Sequence, residues 1–257
     1  MLRAPDPDIA TIIADPSGNG KRHACLIAQR PLSACSRVLL ALFLTSASGA
    51  VADPVGPVLP PDSIIADRDL AWYAQDWWQW AFSMPTDQSP IRDTDGRLCG
   101  VNQQEPVWYL AGGFGTARIH RACTIPEGRF LFFPIINTVV TTAPGQTRTC
   151  DEVRAEAAQN NDRYVYLNLE LDGVQFPNLQ RTRIRPAACF DLAGRAAPDL
   201  EPRPFFPSAT DGYWVMLAPL PPGDHRLEFR AFYTNPDSPG GNAVQNISYE
   251  LRIQAAP

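Results

Sequence analysis

Carboxylates in one short segment, DTDG, are the side chains of this sequence best suited to chemistry. Asp93 and Asp95 stand at alternate positions directly before Gly96. Hard cations such as Ca²⁺ need several oxygen ligands from a tight turn, so the segment is a candidate calcium site, and calcium is the one cofactor suggested. The interpretation we favour is an Asx turn, in which the side chains accept hydrogen bonds from local backbone amides.

Glu105 suggests a second role for the carboxylate of Asp93. Hydrolysis of a glycosidic bond takes two carboxylates, one on each side of the bond, and Asp93 with Glu105 is the candidate pair. The distance between them, which decides whether they can act together, depends on the fold. The leading interpretation therefore assigns no catalytic residue and keeps this pair as the alternative.

Tryptophans are concentrated in the stretch RDLAWYAQDWWQWAFSMP, residues 68–85, which holds four of the six in the chain. A helical wheel places Trp77 and Trp80 on one apolar stripe, which is expected to lie against the core. Trp72 and Trp78 lie beside that stripe and are the candidates for an exposed ligand-binding platform. The stretch predicts a helix that Asp67 or Asp69 caps and that ends before Pro85.

Other catalytic groups are scarce. The sequence has no G-x-S-x-G nucleophile motif, and beyond residue 52 only His120 and His225 offer an imidazole. His225 shares a strand face with apolar residues, which favours a buried or rim position, and the two histidines do not form a zinc or copper cluster by themselves. Lys21 is the single lysine, so lysine nucleophiles have no candidate later in the chain.

The N-terminal residues have the pattern of an export signal. The apolar run VLLALFLTSASGAVA ends in small residues, so we expect a signal segment over residues 1–52 that is cleaved after Ala52. The segment before the run is long for the start of a signal and carries Asp6, Asp8 and Asp15, so the true translation start is expected downstream of Met1. Because neither this run nor a later one is long enough for a membrane span, residues 53–257 are expected to form one secreted or periplasmic domain.

The cysteines and the charge agree with export. Four cysteines follow the expected cleavage site, and an oxidising compartment favours two disulfides over a zinc site. Because neighbouring cysteines close the shorter loops, we predict the pairs Cys99 with Cys123 and Cys150 with Cys189. The formal net charge of −5 argues against nucleic acid as a partner, since phosphate binding needs surplus positive charge. The oligomeric state is not predicted.

The elements that must position these groups are mostly strands. A T-x-x-E capping box at Thr149 predicts a short helix through Asn160. The run YVYLNLELDGVQF alternates in polarity around a hairpin turn at Asp172 and Gly173. Residues 186–211 are expected to form a long loop. The predicted strands cover 107–112, 117–124, 130–140, 164–171, 213–220, 225–233 and 247–253.

This pattern predicts a mainly β fold. Short strands with half-buried alternation, in a chain with 26 prolines, are typical of an antiparallel β-sandwich, either jelly-roll-like or immunoglobulin-like. The tryptophan-rich helix, which is near the N-terminus of the expected mature chain, is expected to lie across the sandwich. The helix after Thr149 is expected to be a short insertion.

Several motifs in the first half of the expected mature chain resemble those of a group of uncharacterised secreted bacterial proteins. They are WWxW from Trp77, DTDGxxC ending at Cys99, QQxPVWYLAG over 103–112, RxCxIPxG from Arg121, and FFPIIN over 132–137. The resemblance implies export and a shared core pattern. It implies no activity.

Two classes of function follow from these observations. The first is a non-catalytic β-sandwich that binds an extracellular ligand, such as a glycan, through Trp72 or Trp78. The second is a carboxylate-dependent hydrolase that acts on an extracellular or cell-wall polymer. The first leads because bases and nucleophiles are few. A groove that holds two carboxylates beside an exposed tryptophan would favour the second.

Overall fold

The computed structural model describes the part of the chain that follows the expected signal segment. The described residues are 57–114, 117–143, 145–163, 165–196, 205–234 and 242–255. The predicted cleavage site after Ala52, the signal segment and Lys21 lie outside them. Neither helix in the described residues is long and apolar enough to cross a membrane.

Strands dominate the described residues, as the sequence predicts. The two helices are α1 (Leu70–Ala81) and α2 (Cys150–Ala158). The strands are β1 (Ile64–Ile65), β2 (Arg68–Asp69), β3 (Val107–Tyr109), β4 (Ile119–Pro126), β5 (Phe130–Thr141), β6 (Val165–Leu171), β7 (Val174–Gln175), β8 (Arg183–Ile184), β9 (Ser208–Leu217), β10 (Gly223–Thr234) and β11 (Asn242–Gln254).

Two larger sheets share one core. The five-stranded sheet has the order β4-β11-β10-β6-β7, and the four-stranded sheet has the order β3-β5-β9-β8. Alternate residues of both sheets enter a common apolar cluster, which burial of their side chains stabilises. Its members include Phe133 and Val215 from one sheet and Leu169, Phe229 and Tyr249 from the other. This arrangement is consistent with a β-sandwich.

Each sheet contains one parallel pair, so the expectation of a purely antiparallel fold was wrong. β11 runs parallel to β4, and β3 runs parallel to β5, whereas the remaining pairs are antiparallel. The alternation of polar and apolar residues has the same period in both kinds of sheet. It therefore predicts a strand but not the direction of its neighbour.

Local signals placed both helices and one turn correctly. Asp69 caps α1, because its carboxylate accepts the backbone N–H of Trp72 at 2.7 Å. Thr149 and Glu152 form the predicted capping box of α2. The turn between β6 and β7 has φ of 53° at Asp172 and 81° at Gly173, as a tight hairpin requires. β9, in contrast, begins inside the predicted loop 186–211.

Both predicted disulfides are present. Cys99 is bonded to Cys123, which joins the loop after α1 to β4. Cys150 is bonded to Cys189, which joins the first residue of α2 to the segment before β9. The two bridges therefore fix irregular segments to regular elements.

The helix α1 covers the face of the four-stranded sheet that points away from the shared core. Trp77 and Trp80 are 1% and 0% exposed, as the helical wheel predicts. They belong to a second apolar cluster with Phe132, Trp214 and Met216 of the sheet. α1 is therefore held against the sheet by its aromatic face, and Leu70 and Tyr73 join its N-terminal half to the same cluster.

Candidate functional site

A cleft of about 180 Å³ opens beside the N-terminal half of α1. The β1–β2 hairpin, α1 and the segment that leads into β3 form its walls. Side chains suited to binding line it, namely Arg68, Trp72, Asp76, Glu105 and Tyr109. A cavity of about 150 Å³ is enough to hold a benzene ring, so this cleft can accept one six-membered ring.

Helix geometry brings two of these groups together. Trp72 and Asp76 are four residues apart on α1, so they lie on the same side of the helix. Opposite them, the β1–β2 turn places Ala66 and Asp67 at φ of 46° and 60°. This left-handed conformation costs an alanine about 1 to 2 kcal/mol. The strained turn directs β2, and with it Arg68, back toward the start of α1.

Asp76 is the buried polar group of the cleft. Its Oδ2 accepts the hydroxyl of Tyr109 at 2.6 Å and Nη1 of Arg195 at 2.9 Å. Burial, and next the charge of Asp76, raise the pKa of Tyr109 well above its ordinary value. The phenol therefore stays protonated and donates to the carboxylate. A buried charge needs such partners, and here they fix the carboxylate at the floor of the cleft.

Asp76 is not among the site residues that the sequence predicts. Its position was nevertheless informative. An acidic residue within an apolar helical stretch is either buried with polar partners or interrupts the apolar face of the helix. Neither partner could be inferred from its position, since Tyr109 is far from Asp76 along the chain and Arg195 farther still.

Glu105 lies at the exposed rim of the cleft. It forms an ion pair with Arg129, and this hydrogen bond and the charge of Arg129 hold the pKa of the Glu105 carboxyl below its usual value. Glu105 is therefore ionised at neutral pH. It can accept hydrogen bonds there, but it is poorly suited to donate a proton.

Trp72 is the half-buried aromatic residue of the cleft. The guanidinium of Arg68 lies 5.0 Å from the centroid of its ring, which is a cation–π contact. The ring of Tyr73 meets it edge to face at 5.1 Å between centroids. Of the two predicted platform residues, Trp72 is the one that lines the cleft.

The expected outward orientation of Trp78 was wrong. Its side chain is buried, and its Nε1 donates to the hydroxyl of Thr210 at 2.9 Å. Its ring packs against Trp77 and Phe82. A wheel locates the centre of the apolar stripe but not its width, and here β9 supplies a polar partner that lets a residue beside the stripe be buried as well.

The DTDG segment forms the favoured Asx turn. Oδ1 of Asp93 accepts the amides of Asp95 and Gly96, each at 3.1 Å, and Oδ2 accepts the amide of Leu98 at 2.8 Å. Burial acts to raise the pKa of Asp93, but these hydrogen bonds outweigh it and the pKa lies below its usual value. The carboxylate oxygens that a cation would need already accept amides.

Of the two proposed partners of Asp93, Asp95 lies close enough for their side chains to interact, whereas Glu105 is at a different site. Asp95 accepts the amide of Arg97 at 3.2 Å, and the described residues contain no group of three or more His, Cys, Asp or Glu that could hold a metal ion. Calcium at this turn stays a prediction. Glu105 lines the cleft whereas Asp93 does not. The second carboxylate of the cleft is Asp76.

The two histidines lie outside the cleft. His120 is exposed on β4, with Nδ1 at 3.0 Å from the hydroxyl of Ser248. His225 is at the rim of the five-stranded sheet, with Nδ1 at 2.7 Å from the carboxylate of Asp172 and Nε2 at 2.9 Å from the carbonyl of Pro221. The sequence predicts a buried or rim position for His225, and the residue is half-buried.

Comparisons with known proteins add no name to this geometry. No protein-family model matches the chain, and no curated protein and no solved structure matches it significantly. The resemblance to secreted bacterial proteins therefore stays a prediction, and the function must be argued from the cleft itself.

Proposed function

We propose that this protein binds a glycan, without cleaving it, in the cleft beside α1. The observation that carries the proposal is that a half-buried tryptophan and two carboxylates line one cleft, and that this cleft is large enough for a six-membered ring. Sugar rings present apolar C–H faces, which pack against an aromatic ring, and hydroxyls, which donate to carboxylates. Trp72 would contact the ring, and Asp76 and Glu105 would accept its hydroxyls.

Secretion or a periplasmic location is part of the same proposal. The export pattern of residues 1–52 supports it, and so do the two disulfides, which persist in oxidising compartments. The sandwich type is proposed as jelly-roll-like or immunoglobulin-like. Repeated crossing of the chain between the two sheets supports this type, since β3, β4, β5 and β6 alternate between them.

The test compares two aromatic truncations on a glycan array and by calorimetry. Trp72→Ala is expected to reduce the binding of any glycan that the wild type retains by at least about tenfold, since an aromatic anchor dominates such a site. Phe232→Ala is the matched control, because Phe232 is also partly exposed, at 44%, but lies on β10. Equal loss in both variants, or a wild type that binds no glycan, would refute the proposal.

A hydrolase is the second candidate, and one observation favours it. Asp76 and Glu105 line the same cleft beside Trp72. Glycoside hydrolysis needs one carboxyl group that is protonated, whereas Asp76 accepts hydrogen bonds from Tyr109 and Arg195, and Arg129 holds Glu105 ionised, so this arrangement does not place the hydrolase first. Release of reducing ends from a glycan that binds, abolished in Glu105→Gln, would place this candidate first.

A further inference from the structure

Arg68 is the one cationic side chain that lines the cleft. Each carboxylate of the cleft has its own arginine, since Asp76 is paired with Arg195 and Glu105 with Arg129. Arg68 forms no ion pair within the described part of the chain, and its contact is with the ring of Trp72. Arg195 and Arg129 offset the two carboxylates from outside the lining, so Arg68 is the charged lining residue without an ion-pair partner in that part of the chain.

Besides its contact with Trp72, the guanidinium of Arg68 makes no hydrogen bond to another residue in the part of the chain that the structure describes. A guanidinium that stacks on an aromatic face keeps its five N–H donors in the plane of the group, where they match the two oxygens of a carboxylate. Stacking also restricts the long side chain, which lowers the entropy lost when a ligand is bound. The arrangement therefore orients an anion-binding group at the mouth of the cleft.

The backbone conformation just before Arg68 also supports the placement of this residue at the cleft. Arg68 follows directly on the turn in which Ala66 adopts a left-handed conformation at φ of 46°. Strained residues of this kind persist where the surrounding structure holds them, and they cluster at ligand-binding positions. Ala66 itself lines the cleft. The strain is thus located where it sets the position of Arg68.

We propose that the ligand of this cleft is an acidic saccharide, whose carboxylate or sulfate group binds to Arg68 while its ring occupies the space beside Trp72. This inference rests on the proposed glycan binding and narrows it to one ligand class. Asp76 and Glu105 would accept the hydroxyls of the same sugar unit, and their own arginines offset the repulsion between these carboxylates and the anionic group.

The experiment uses pairs of probes that differ only in charge. Oligogalacturonate and oligomannuronate are compared with their carboxyl-reduced forms, and a sulfated galactan with its desulfated form. Binding to the wild-type protein is measured by calorimetry at low and at physiological salt. We expect at least one acidic probe to bind about 10 to 100 times more tightly than its neutral form, the range for a charge-assisted pair. Salt is expected to weaken that binding.

Variants of Arg68 then test the residue itself. Arg68→Ala should remove the preference for the acidic probe, and Arg68→Lys should restore part of it, because lysine keeps the charge but not the planar fork. Arg92→Ala is the matched control. Arg92 is also exposed and lies over an aromatic ring, that of Phe114, but outside this cleft. Arg68 is exposed, so its variants should unfold at the wild-type temperature.

The outcomes separate this inference from the function on which it rests. Equal binding of acidic and neutral probes, reduced by Trp72→Ala, would overturn the acidic ligand and leave glycan binding standing. An acidic preference that Arg92→Ala removes as well as Arg68→Ala would also overturn the inference. Absence of binding to every glycan would overturn both proposals, even if free sulfate bound through Arg68.

Discussion

His225 shows how two hydrogen bonds set the charge of one residue. Burial acts to lower its pKa, but the carboxylate of Asp172 and the carbonyl of Pro221, which face its two ring nitrogens, outweigh burial and raise the pKa above its usual value. Only the protonated ring can donate to both acceptors. When it is protonated, the ring therefore ties the β6–β7 turn to the start of β10.

This contact predicts a pH dependence of stability. Because the pKa is higher in the folded state than in the unfolded chain, the contribution of His225 is fully present below the unfolded pKa of about 6.5 and is lost as the pH rises through the folded pKa. We expect His225→Gln to lower the melting temperature more at pH 5.5 than at pH 8.5. The measurement is thermal unfolding of both proteins across that range, with His120→Gln as control. A constant difference between wild type and variant would contradict the assignment.

At the scale of elements, α1 covers one face of the four-stranded sheet and also forms a wall of the cleft. Its buried rings hold the helix in place, and Trp72 and Asp76 depend on that position. A change in a buried ring is therefore expected to affect binding indirectly through stability. A change in Trp72 is expected to affect binding directly.

The stability lost when a tryptophan is truncated should depend on how deeply its ring is buried. Trp77→Ala and Trp78→Ala are each expected to lower the free energy of unfolding by roughly 3 to 5 kcal/mol, the usual cost of emptying a buried aromatic site. Trp72→Ala should cost less, because its ring is only half-buried. Chemical denaturation of the three variants provides the measurement. A Trp78→Ala protein as stable as the wild type would show that this ring is not part of the core.

The sequence predicted α1 and several strands because their signals are local. Asp69, the capping box at Thr149 and the turn at Asp172 each act within a few residues. The cleft depends on contacts between distant residues, such as Asp76 with Arg195, and no local pattern encodes these. Trp72 and Glu105 were named from their residue types. That these two residues line one cleft follows from tertiary packing, and so does the parallel pairing of strands.

For the whole molecule, each disulfide joins an irregular segment to a regular element, β4 in one case and α2 in the other. The Cys99–Cys123 and Cys150–Cys189 bonds enclose 24 and 39 residue steps of chain. Closing such loops restricts the unfolded chain, which favours the folded state.

Removal of either bridge should therefore be measurable. We expect Cys150→Ser with Cys189→Ser to cost about 2 to 5 kcal/mol of unfolding free energy, measured by denaturation. The exported wild-type protein, unfolded without reductant, should show no free thiol on labelling. Labelling of one cysteine in most molecules would contradict the two-bridge structure. Unchanged stability in the double variant would show that the second bridge is not needed to hold α2.

The position of β11 also has a consequence for the order in which the protein can be assembled. β11 lies between β4 and β10, so it closes a gap between strands that are made before it. During synthesis, both neighbours expose unpaired edges until residues 242–254 have emerged, and such edges invite pairing with other chains. Completion of the five-stranded sheet must therefore be a late step, and the nascent chain should depend on protection from aggregation until that strand is available.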